Sequence, residues 1–134
     1  MKARQSQMTL NRVIELRKAI KAAIKEVHSE VYFEKATDDS PYPYIVFDLP
    51  NSISNGALEN FVLEVEGWDA PTNSDTTGLE MMMDAVDKAL QRKTFVIADN
   101  LFFSLYRDGR ESINENDSLI KRRRYTYQAR VYGE

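Results

Sequence analysis

Apolar residues at Val13, Leu16, Ile20, Ile24 and Val27 recur at steps of three and four, which predicts an amphipathic helix from about Thr9 to His28. Arg17, Lys18, Lys21 and Lys25 fall on one flank of that stripe, so the helix carries a basic edge. Residues 1–8 show no period and are expected to form a flexible tail. Beyond the helix the period drops to two. Val31–Ala36 and Tyr44–Leu49 read as strands joined through the turn-forming Asp38-Asp39-Ser40-Pro41, the pattern of a hairpin. In the second of these, Ile45, Phe47 and Leu49 alternate with Tyr44, Val46 and Asp48, as in a sheet with one dry face. Pro43 and Pro50 cannot donate ladder hydrogen bonds and are read as its limits. Residues 51–60 are read as a mobile polar loop.

Phe61, Leu63 and Val65 alternate with Val62, Glu64 and Glu66 in a third strand, which ends near Gly67-Trp68. A loop from Asp69 to Asp75 leads to a second helix. Thr77 and Glu80 have capping-box spacing there, and Leu79, Met82, Met83, Val86 and Leu90 lie at helical steps until Arg92-Lys93. A fourth strand alternates Leu101, Phe103 and Leu105 with Phe102, Ser104 and Tyr106. Residues 107–121 hold two Arg, one Lys and four acids with few hydrophobes, and are read as a long mobile loop. In the last strand Tyr125, Tyr127, Ala129 and Val131 share the inward parity. The order is α-β-β-β-α-β-β. The fold class expected is α+β, a mostly antiparallel sheet of four to five strands packed on two amphipathic helices.

The 134 residues suit one domain with a single core, and no linker divides them. Net charge is −3, which excludes a globally basic nucleic-acid coat. The charge is unevenly placed: residues 1–27 carry seven bases and two acids, 28–120 six and eighteen, and 121–134 five and one. Basic ends around an acidic middle suit stacked or head-to-tail association. There is no Cys and one His, so thiolate sites, disulfides and His-rich metal centres drop out. With no apolar stretch of membrane-spanning length and no signal-peptide pattern, the chain is expected to be soluble and intracellular when made.

Nucleotide-loop, zinc-helix and serine-elbow motifs do not occur. His28 is read as a helix-end residue. Asp48, Glu64 and Glu66 resemble the acids of a restriction-endonuclease-like metal nuclease, but Glu66 stands where that pattern needs a Lys. Wet-face acids are the better reading. The run Lys121-Arg122-Arg123-Arg124 beside Tyr125 and Tyr127 offers an alternative function, a nucleic-acid-binding module. Because those tyrosines share the inward parity, a protein partner is preferred. Tyr42, Tyr44, Trp68, Tyr106 and Tyr132 are aromatic candidates for partner contact, and Met81 is the outward member of the Met81-Met82-Met83 run.

The stretches FVLEVEGWDAPTNSDTTGLEMMMDAVDKAL, LFFSLYRDGRESI and SLIKRRRYTYQARVY together resemble the tail completion proteins of long-tailed bacteriophages, nearest those that join tail to head in Bacillus siphophages. The resemblance spans about residues 10–133 and implies a tail terminator-like domain. It also implies a virion assembly protein rather than an enzyme, made in the host cytoplasm and incorporated at the head–tail interface. Its implied partners are the tail tube protein, the head connector proteins and further copies of itself, forming a six-fold ring from subunits that can be monomeric in solution. DNA would pass through the lumen without sequence-specific binding. No cofactor, metal or membrane is implied. The residues themselves offer Arg17, Lys21, Lys25, Arg107, Arg110, Glu111, Arg122, Arg123 and Arg124 as the candidate protein interface. Charge reversal at Arg122, Arg123 and Arg124 is expected to impair joining while leaving the fold intact.

Overall fold

A computed structural model describes residues 11–37, 39–55, 58–98 and 100–133. The helix signalled by the first apolar stripe is α1 (Arg12–Lys25), opened by Asn11, whose side chain accepts a hydrogen bond from the Ile14 N–H at 3.2 Å. Leu16, Ile20 and Ile24 form its buried stripe. Val13 sits in the first turn and Val27 lies beyond the C-cap Glu26, and both stay exposed. The start expected at Thr9 and the tail 1–8 lie outside the described residues.

Six strands follow: β1 (Val31–Phe33), β2 (Tyr44–Asn55), β3 (Leu58–Asp69), β4 (Thr94–Ala98), β5 (Leu101–Ile113) and β6 (Lys121–Gly133), with α2 (Thr77–Leu90) between β3 and β4. They form one mixed sheet in the order β1-β2-β3-β6-β5-β4. The α+β class and the two helices stand, while the strand number rises from the expected four to five to six. The additional strand is β4, in which Phe95 and Ile97 alternate with the exposed Val96 as a short edge strand should.

The expected β1–β2 hairpin is corrected. The two strands pair in parallel, with Val31 opposite Ile45 and Phe33 opposite Phe47, and the intervening segment carries the chain back to the same end. Pro50 does not end β2. It sits where the β2–β3 register shifts between Asp48 and Asn51, a place that tolerates a missing N–H, and the ladder resumes to Asn55. The loops expected at 51–60 and 107–121 are therefore largely strand. β5 runs on to Ile113 through an irregularity between Arg107 and Gly109, and only 114–120 connects it to β6.

α2 starts at Thr77 without the expected capping box. Thr76 is the N-cap and makes no side-chain cap bond, while the Asp75 carboxylate accepts from both the N–H and the hydroxyl of Thr77, at 2.9 and 2.6 Å. Leu79, Met83, Val86 and Leu90 are its buried face, with Met82 packed beside them. α1 packs on β1 and on β4, the two opposite edges of the sheet, so the sheet curls around the core. Its inner face supplies Ile45, Phe47, Leu63, Val65, Phe103, Leu105, Tyr127 and Val131 to that core. Among the described residues the other face of the sheet bears no helix.

Candidate interaction surfaces

The residues singled out for chemistry sort by strand parity onto these two faces. Arg122 and Arg124 point to the outer face of β6, and Arg123 points to the helix side. On the outer face Glu66 of β3 accepts from both guanidinium groups, with Arg122 Nη2 at 2.9 Å and Arg124 Nη2 at 2.8 Å. Arg122 also reaches Glu115 at 2.9 Å, and Arg124 reaches Glu111 at 3.4 Å. Burial would raise the Glu66 carboxyl, but hydrogen bonds from Arg122 and Arg124, with their charges, outweigh it and hold it below its ordinary value. Arg123 pairs with Glu80 of α2 at 3.3 Å.

Aromatic rings extend this cluster. The Arg122 guanidinium lies 4.4 Å above the Trp68 ring, Trp68 stacks on Tyr44 at 6.0 Å, and Tyr44 stacks on Tyr42 at 5.1 Å. Burial pushes the Tyr44 hydroxyl up to about 12, so it stays a neutral donor. Tyr42, Tyr44, Trp68, Arg122, Glu66 and Glu115 thus form one packed end of the outer face, in which Arg122 and Arg124 are paired with acids of the same chain. Reversing the charge of Arg122 and Arg124 together would leave Glu66 without either partner, so a variant reversed at Arg122, Arg123 and Arg124 is expected to lose stability as well as joining.

Arg107 is also committed internally. It pairs with Asp87 of α2 at 2.6 Å, and Asp87 in turn accepts from the buried Tyr127 hydroxyl at 2.6 Å. Arg110 stands 5.9 Å over Tyr125, beside an open groove of about 500 Å³ bounded by Glu80, Asp84, Ser112 and Arg123. On α1, Arg17 lies 4.8 Å over Phe33, whereas Lys21 and Lys25 are exposed and make no ion pair among the described residues. His28 donates from Nε2 to the Pro43 carbonyl, 2.9 Å away, near the end of α1.

The nuclease-like acids lie on the outer face, Asp48 directly opposite Glu64 and Glu66 opposite Val46. Glu66 is occupied by two arginines, and no group of three metal-ligating side chains gathers among the described residues. Met81 is exposed and Met83 buried, as their helical positions require. At the far end of the outer face Phe102 stacks on Tyr132 at 5.3 Å and Arg130 lies 5.0 Å over Tyr106. Tyr106 and Tyr132 are among the aromatic candidates of the sequence. Phe102 and Val96 are not, because alternation marks only their parity and gives no sign that the outer face is apolar at this corner.

The family described as tail completion protein gp17 matches residues 14–132, which takes in both helices almost whole and every strand but the last residue of β6. The chain belongs to this family. It is therefore a bacteriophage tail completion protein, a structural component of the virion with a role in tail assembly, and its partners are other tail and head components of the particle. Among solved structures, a chain from the virion of a native gene transfer agent particle is similar over 90% of this chain and 91% of its own, with a TM-score of 0.63 and 16% identity. That likeness is one of fold. No curated protein sequence matches significantly.

Proposed function

We propose that this tail completion protein caps the head-proximal end of the tail tube as a ring and supplies the surface on which the DNA-filled head docks, leaving a central passage for DNA. The observation that carries this reading is the family match across residues 14–132. A chain of the same fold working inside a gene transfer agent virion supports it. So does the layer order. A ring needs two different patches on each subunit, and the outer sheet face and the outward side of α1 lie on opposite sides of one core. The β2–β3 and β5–β6 hairpins project from opposite ends of the sheet, because β3 and β6 run antiparallel. One end can meet the tube while the other meets the connector.

The protein acts by surface fit, and nucleic-acid binding through residues 121–124 is the weaker reading because three of those four cations are paired within the chain. The test is electron microscopy of lysates from a phage deleted for this chain. Separate DNA-filled heads and finished tails are expected; joined particles in normal yield would contradict the proposal.

A further inference from the structure

The outer sheet face has a second end that the ion cluster does not reach. There Val96, Phe102 and Tyr132 lie side by side across β4, β5 and β6, in register. Val96 is 76% exposed, Phe102 39% and Tyr132 partly so, and no described element covers this apolar row. The next outward position on β6 is Arg130, exposed and without a carboxylate partner among the described residues. Further along and one or two strands across, Asp48 and Glu64 face each other directly on β2 and β3, and neither makes an ion pair among the described residues. Like charges placed opposite one another weaken a ladder; the Arg124 charge acts on Glu64 from β6, but neither acid of the pair has a direct ion-pair partner among the described residues. Along the face the order is apolar, cation, anions.

The outward side of α1 carries the complement. Ile14 is 39% exposed, Glu15 follows, and then come the exposed Lys18, Lys21 and Lys25, giving the order apolar, anion, cations. Lys18 reaches Glu15 only at 3.7 Å on the open surface. The spacings agree as well. Glu64 is level with Thr126, six residues from Tyr132, which is about 20 Å along the strand. Ile14 and Lys25 are eleven residues apart, or about 16 Å of helix, and a lysine side chain spans the difference.

We propose that the outward side of α1 in one copy docks on the outer sheet face of the next, with Ile14 against the Val96–Phe102–Tyr132 row, and Lys21 and Lys25 on the Asp48–Glu64 pair. This rests on the ring reading above and names its contact. Because Leu16, Ile20 and Ile24 turn the opposite side of α1 into the core, the two patches of one copy cannot meet each other. The contact is heterologous and propagates from copy to copy. It weakens with added salt.

The test uses the full chain, which has no cysteine of its own. A Lys25→Cys, Glu64→Cys double variant, oxidised after incorporation into tails, is expected to give a disulfide ladder reaching trimers and beyond; monomers only, or a stop at dimers, from those tails would overturn the contact. Independently, Lys21→Glu with Lys25→Glu, and Asp48→Lys with Glu64→Lys, should each lower incorporation of the chain into tails at least about tenfold when supplied to the deletion phage. Mixing the two in equal amounts should restore it, since each variant's helix then meets an opposite charge on the other's sheet. No recovery on mixing would also overturn the contact. If these results fail while the deletion phage still yields unjoined heads and tails, the contact falls and the capping function stands. Normal particles from the deletion would instead remove the function on which it rests.

Discussion

Glu66→Gln is expected to destabilise the fold by about 2 kcal/mol, less than a fully buried ion pair would cost because the groups keep some solvent. The side chains of Glu66, Arg122 and Arg124 are only 14%, 18% and 28% exposed, so the substitution leaves two poorly hydrated guanidinium groups sharing a neutral amide. Arg122 would lose its seat over Trp68 as well. The pH dependence follows from the same geometry. Since the folded Glu66 carboxyl titrates below its ordinary 4.5, its stabilisation is fully present above about pH 4.5 and is lost as the pH falls through the lower, folded value. Urea midpoints measured from pH 6 down to pH 3 should therefore fall in the wild type and fall less steeply in Glu66→Gln. Equal slopes would show that the pair contributes nothing.

Phe103→Ala is expected to cost about 3–4 kcal/mol, a large share of the 5–15 kcal/mol typical of a domain. Phe103 is fully buried, stacks on Phe95 at 4.9 Å, and lies in the core enclosed by the curled sheet and both helices. Its neighbour Phe102 points the other way and is exposed, so Phe102→Ala should cost the fold less than about 1 kcal/mol while weakening the proposed contact between copies. Thermal melts of the two variants give the comparison: a drop on the order of 10 °C for the first and little for the second. Similar drops would mean that the two side chains do not lie on opposite faces of β5.

That parity is legible in the order of the amino acids alone, and the reason is physical. Burial on one face leaves period-two alternation in β2, β3, β5 and β6, and burial of α1 and α2 leaves the steps of Leu16, Ile20, Ile24 and Leu79, Met83, Val86. Where no core lies beneath, the signal disappears. Residues 107–113 are strand because β6 offers a ladder and because Arg110 and Glu111 meet Tyr125 and Arg124, yet their composition is that of a loop. The direction of β1 is set by three residues and a return connection, which no alternation encodes. The basic run 121–124 is visible in the sequence, but its neutralisation is not. Glu66, Glu80 and Glu115 lie far from one another along the chain and are brought to it only by the register of β3 with β6, by α2, and by the loop after β5. Lys21 and Lys25, without an ion pair among the described residues, belong to the edge of the first helix that periodicity marks.

The role of the chain as a cap that works by fitting other subunits is tested most directly by locating it in the particle. Electron cryomicroscopy of intact virions, compared with particles carrying a tagged copy of this chain, should place a closed ring of copies at the junction of tail tube and connector, around an open lumen. Copies found along the tube or at its distal tip, or a junction without this chain, would contradict the account.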